Sequence, residues 1–180
     1  MLTRIALATV LVATGIALIA TTSCDGSLGS RQGYEPEQPI AYSHALHAGD
    51  MQLDCVYCHF GAEKSRHAGV PPANVCMNCH AQTKQDSSEI AKIIMAIDTN
   101  KPIEWVKVHR LPDFVYFNHS RHVNANLACQ SCHGPVESMV RVKQVETMSM
   151  GWCLDCHRNP PATSAGFALS PPTDCAACHQ

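Results

Sequence analysis

Five times along this chain a cysteine is followed three positions later by a second cysteine and then at once by a histidine. The triplets are Cys55/Cys58/His59, Cys76/Cys79/His80, Cys129/Cys132/His133, Cys153/Cys156/His157 and Cys175/Cys178/His179. They absorb ten of the eleven cysteines and five of the eleven histidines. An odd cysteine count argues against a simple disulfide framework. Structural zinc also uses C-x-x-C pairs, but zinc has no need of a histidine directly after each second cysteine. C-x-x-C-H is the attachment signature of c-type haem. The two thiols reach the vinyl groups on one porphyrin edge as thioethers, and the adjacent histidine is held beneath the iron. The sequence therefore predicts five covalently bound c-type haems, with His59, His80, His133, His157 and His179 as proximal ligands.

Composition agrees with an interior made of something other than side chains. Of 180 residues only 6% are aromatic, and large aliphatics are sparse. A net charge of −2 gives the polypeptide no electrostatic case for nucleic acid. The expected fold is a small, mostly irregular and α-helical multihaem cytochrome whose core is filled by haem.

Low-spin electron carriers need a second axial ligand. Six histidines lie outside the triplets: His44, His47, His67, His109, His119 and His122. Five are needed if every haem is bis-histidine, so one is spare or one haem differs. His44 and His47 form one H-x-x-H pair before the first triplet, and His119 and His122 form another before the third. That repeated placement marks all four as ligands. His67 lies nine residues before Cys76, and His109 lies in an aromatic linker; one or both complete the set. Met139, Met148 and Met150 stand where the second half of the chain has no counterpart of His67. A methionine ligand would raise that haem's potential, although apolar packing is the commoner use of such a cluster.

An internal repeat underlies this spacing. Tyr42-Ser-His44-Ala-Leu-His47 precedes the first triplet, and Phe117-Asn-His119-Ser-Arg-His122 precedes the third. The first histidine is eleven residues before its cysteine in one copy and ten in the other; a second triplet follows 21 and 24 residues later. Residues 41–180 thus read as a duplicated two-haem module with a fifth haem appended. One stretch looks like an ordinary helix: Asp86-Ser-Ser-Glu89 resembles a capping box, Ile90, Ile93, Ile94 and Ile97 recur on one face, and Asn100-Lys-Pro102 stops it. Residues 103–117 are predicted as short extended pieces anchored by Trp105, Phe114, Tyr116 and Phe117.

The N-terminus has one arginine, Arg4, before an uncharged run over residues 5–23 that ends at Cys24. Residues 1–24 read as a lipoprotein-type signal with Cys24 acylated, as an uncleaved anchor helix, or as an ordinarily cleaved signal peptide. Ser23 suits acylation; Thr21 departs from the usual leucine. Each alternative places the remainder across the cytoplasmic membrane. Residues 25–40, rich in Gly, Ser and Pro, read as a flexible tether.

H-x-x-H before C-x-x-C-H resembles the cytochrome c3/c7 class. Further strings are similar to the pentahaem cytochrome subunit of alternative complex III, the quinol-oxidising complex unrelated to cytochrome bc1. These are Ser65-Arg-His-Ala-Gly-Val-Pro, Cys76-Met-Asn-Cys-His80, Met150-Gly-Trp-Cys-Leu-Asp-Cys-His-Arg158 and, most specific, the run from Pro102 to His122. The resemblance implies a subunit that receives electrons from quinol oxidation and passes them to a monohaem cytochrome or terminal oxidase. Implied neighbours are an iron–sulfur/molybdopterin-like subunit and polytopic membrane subunits, with the domain held at the periplasmic face by lipid on Cys24 or an uncleaved helix. It also implies that His44 completes the Cys55 haem and His119 the Cys129 haem, while His47 and His122 bridge to neighbouring haems.

Two other functions compete. A catalytic multihaem reductase needs a haem with an open position, whereas here histidines outnumber the haems to be capped and no C-x-x-C-K variant occurs. A free periplasmic or cell-surface electron shuttle fits the export segment but leaves the aromatic linker unexplained. Two propionates per haem add about ten negative charges if all ionise, which favours Lys-rich partners.

Overall fold

The computed structural model describes residues 30–161 and 170–179. The predicted signal or anchor (1–24) and the first part of the predicted tether lie outside them. Among the described residues, no helix is long and apolar enough to cross a membrane.

Helices are short, and each has a local reason to begin or end. The longest, α4 (Ser88–Asp98), starts where the Ser87 side chain accepts the N–H of Glu89. It stops at Asn100, whose φ of 51° places it in the left-handed region. Asn100 N–H then reaches the carbonyl of Ile97 and Lys101 N–H that of Ala96, the paired bonds of a Schellman ending. The helix matches the predicted one. Its apolar face is narrower than expected, however: Ile90 and Ile93 are buried, while Ile94 and Ile97 are exposed at 38% and 42%.

Ile90 and Ile93 meet Ile40, with Ala73, Cys76, Met77, Ile103 and Trp105 packed around them. Ala73, Cys76 and Met77 come from α3 (Ala73–His80), which lies against α4. Met139 and Ala62 are buried elsewhere. Full burial of an isoleucine stabilises by about 1.5–3 kcal/mol, so three of them cannot offset the ordering of so many residues. The exposed Tyr57, Phe60, Phe114 and Met150 are the apolar surface that a large cofactor would cover.

The remaining helices are α1 (Ala45–Asp50, π-helical), α2 (Cys55–Cys58), α5 (His119–Val123), α6 (Gln130–His133), α7 (Met150–Arg158) and α8 (Cys175–Cys178). Among the described residues no strand forms; one isolated antiparallel bridge pairs Val115 with His179. α1 packs on a 3-10 turn at Val136–Ser138, with Ala45 N–H donating to the Met139 carbonyl at 2.9 Å. Gly49 permits this approach, because a Cβ there would run into the carbonyl oxygen of Glu137.

Residues 31–40 do not form a free tether. Arg31 Nη1 donates to the Lys107 carbonyl, Gln32 Nε2 to that of Val145 and Gln38 Nε2 to that of Val106, each at 2.9 Å. Gln38 Oε1 also accepts Val106 N–H at 2.9 Å, and Ile40 joins the isoleucine core. A turn at Gly33 (φ 80°) brings its N–H to the carbonyl of Gln144 at 2.7 Å. Composition suggested a linker because glutamine side chains that substitute for a strand partner leave no apolar periodicity.

Candidate haem-binding site

Every triplet sits on a short helix: α2, α3, α6, α7 and α8. One helical turn places the two cysteines, three apart, on the same face, and the histidine at the next position follows them. Side-chain caps begin three of these turns. Asp54 accepts from Val56 N–H, Ser149 from Trp152 N–H and Asp174 from Ala177 N–H. Those caps are readable in the sequence as Asp or Ser just before each of the three helices.

Four of the six extra histidines face a triplet histidine across a gap. Ring centroids are 6.5 Å apart for His44 and His59, 6.2 Å for His47 and His80, 6.4 Å for His119 and His133, and 6.1 Å for His122 and His157. Two imidazoles trans to one metal, with bonds of about 2 Å, put their centroids roughly 6.3 Å apart. All four gaps fit an iron.

The outer ring nitrogens are oriented for that role. Nδ1 lies 2.8 Å from the Ser43 carbonyl in His47, 2.7 Å from Gly69 in His59 and 3.1 Å from Thr83 in His80. The distances are 2.9 Å to Arg66 for His119, 2.8 Å to Asn118 for His122 and 2.6 Å to Pro172 for His157. A carbonyl can only accept, so each Nδ1 carries the proton and Nε2 is left with its lone pair for a metal.

An aromatic wedge fixes each H-x-x-H pair. Tyr42 stacks on His47 at 4.3 Å and meets His44 edge-on at 4.9 Å; Phe117 lies 4.5 Å from His122 and 4.8 Å, edge-on, from His119. The sequence repeat is therefore a repeat in space. Burial, reinforced by neighbouring imidazoles, pushes His44 and His133 down to about 4 and also lowers His109 and His122. Such rings stay neutral, which is the ligating form.

The thiols move the other way. Burial raises Cys58, Cys76, Cys129 and Cys153, and takes Cys132 to about 11. Among the described residues, no three His, Cys, Asp or Glu side chains converge on a metal-sized point. Thiols of different triplets also lie near one another: Cys58 feels Cys76, Cys129 feels Cys55, Cys132 feels Cys156, and Cys153 feels Cys178. The neighbouring triplets are the first and second, the first and third, the third and fourth, and the fourth and fifth.

Three histidines stand apart from the four pairs. His179 is held by the bridge to Val115, with the Phe114 ring 5.7 Å away. His67 is exposed. Next to it the Arg66 guanidinium lies 4.0 Å over the Tyr116 ring, and Tyr116 N–H donates to the Cys178 carbonyl at 2.7 Å. His109 meets His133 edge-on, with Nε2 3.3 Å from His133 Nδ1; no spacing rule could have revealed that contact. Met139 is buried and Met150 exposed.

Residues 115–180, a little over a third of the chain, match the family described as cytochrome c7 and related cytochrome c. Proteins of that family carry electrons on covalently bound c-type haem, the cofactor that C-x-x-C-H triplets attach. Over 146 residues it is 27% identical to the multiheme cytochrome c subunit of menaquinone reductase from Nitratidesulfovibrio vulgaris, covering 69% of this chain and 70% of that protein.

Proposed function

We propose that the chain binds five c-type haems and conducts electrons along them as a subunit of a quinone-linked respiratory complex of the alternative complex III kind. The observation that carries this is the set of four facing imidazole pairs, each beside its own cysteine pair. Bound haem supplies reversible one-electron chemistry. The polypeptide fixes its position, axial ligands and exposure to water.

His44 and His59 would hold the haem on Cys55 and Cys58, and His47 and His80 the one on Cys76 and Cys79. His119 and His133 would hold the haem on Cys129 and Cys132, and His122 and His157 the one on Cys153 and Cys156. His67 is assigned with His179 to the haem on Cys175 and Cys178, because its neighbour Arg66 packs on Tyr116, which is bonded to Cys178. The neighbouring cysteines support a file of haems that would have the second and fifth attachment sites at its ends. Those ends are the ports for donor and acceptor.

The periplasmic face of the cytoplasmic membrane, with lipid on Cys24 or an uncleaved helix as anchor, suits a quinone-linked subunit. An iron–sulfur/molybdopterin-like subunit and polytopic membrane subunits would accompany it. Electrons would leave to a monohaem cytochrome or terminal oxidase. The relative's role in menaquinone reductase favours a second reading, in which the same file delivers electrons to menaquinone. Deleting the chain and assaying native membranes for both directions decides between them. Loss of quinol oxidation supports the first, loss of menaquinone reduction the second, and retention of both refutes the complex.

A further inference from the structure

We infer that His109 is not an axial ligand but the hydrogen-bond acceptor that orients His133 and tunes the haem attached at Cys129 and Cys132. This rests on the haem assignment proposed above. Six histidines of the four facing pairs have Nδ1 against a backbone carbonyl. At His133 that place is taken by a side chain: Nε2 of His109 lies 3.3 Å from Nδ1, with the two rings 82° apart. The other edge of His133 faces His119 across the iron-sized gap, with planes parallel to within 6°. His133 is therefore held from both sides, and its outer proton has His109 as acceptor.

His109 is placed for this by a clamped segment. Upstream, Trp105 packs on the isoleucine core, Gln38 both donates to and accepts from the Val106 backbone, and Arg31 bonds the Lys107 carbonyl. Downstream, the Val115 bridge and the Tyr116 bond tie the chain to the fifth triplet. A ring fixed between two anchored stretches, with Nε2 already engaged, is poorly placed to cap a different iron. An acceptor on the far nitrogen of an axial imidazole makes that imidazole a stronger donor and favours the oxidised metal. Removing the acceptor should raise the potential of one haem without opening its coordination.

The test is a redox titration with paramagnetic resonance on the purified holoprotein, comparing His109→Leu and His109→Gln. Glutamine keeps an acceptor oxygen; leucine does not. Expected in the leucine variant are one haem of higher potential and no new high-spin signal. In the glutamine variant all haems stay low-spin, with that potential closer to the native one. A high-spin haem in the glutamine variant would make His109 an axial ligand and overturn the inference. Unchanged potentials in both variants would overturn it as well. Failure of the haem assignment shows separately, as a mass of the unsubstituted protein lacking a haem.

Discussion

The rings of His119 and His133 lie 6.4 Å apart with planes parallel to within 6°. The rings of His44 and His59, in the other half of the chain, repeat this at 6.5 Å and 4°. In each half the first histidine of H-x-x-H faces the nearer triplet and the second faces the farther one. One helical turn thus bridges two attachment sites, and the aromatic ahead of it, Tyr42 or Phe117, holds both rings in place. Two haem sites become a single packing unit.

If the triplets all bind haem, denaturing mass spectrometry of protein matured in a competent host will show a chain heavier by five haems. Thiol alkylation will find none of the ten triplet cysteines reactive. Chelators will remove nothing, since the thioethers are covalent. A mass with bound zinc contradicts this outright.

Substituting His44, His47, His119 or His122 by alanine should each leave one iron without its outer ligand, giving one high-spin or differently ligated haem per variant. His67→Ala should do the same at the fifth site. Resonance spectra of the oxidised holoprotein provide the check, and an unaltered spectrum rejects the assignment at that position.

The C-x-x-C-H triplets were legible as a motif because the covalent chemistry they suggest fixes their spacing to the residue, and the H-x-x-H duplication was legible because one aromatic wedges each pair. Helix α4 could be read from its isoleucines and its Ser and Asn ends. What stayed hidden depends on contacts distant in sequence. Gln32 and Gln38 pin the supposed tether by bonding backbone far along the chain. His109 reaches His133 across 24 positions. The cap residues Asp54, Ser149 and Asp174 were visible, yet helices this short leave no periodicity to notice.

Gly61→Ala should disturb the first haem site, and through His67 the fifth, without replacing a ligand side chain. A Cβ at Gly61 would lie 2.7 Å from the carbonyl oxygens of His67 and Ala68, closer than such atoms approach. The loop must shift, and with it the Gly69 carbonyl that receives His59 Nδ1. A changed potential or ligand-field spectrum at one or both of these haems is expected; spectra and potentials identical to the parent count against the coupling.

Ile93→Ala removes the most buried member of the isoleucine cluster, at 4% exposure. Large-to-small substitutions of this kind cost about 2–5 kcal/mol. The lower part of that range is expected because several neighbours are only partly buried and can relax. The thermal midpoint should fall while all haems remain low-spin, since the cluster contains no ligand.

Attachment at the membrane gives the last prediction. Cys24 ends an uncharged run, and the pinned segment begins only a few residues later, at Arg31. The reach between an anchor and the haem domain is therefore shorter than a tether extending to residue 40 would allow. At most about 3.3–3.6 Å per residue, the segment between them spans little more than a helix diameter or two. If such an anchor is present, a domain on so short a segment would present a restricted set of faces to partners in the bilayer. Lengthening the segment with Gly/Ser insertions should then weaken quinone-linked activity in native membranes, while leaving haem content and spectra unchanged. Mass spectrometry of the native N-terminus separates the three alternatives: an acylated Cys24 identifies lipid, a retained apolar run identifies the helix, and an unmodified N-terminus beyond the run identifies ordinary cleavage. Full activity with a long insertion would show that the anchor only tethers, and that docking alone orients the domain.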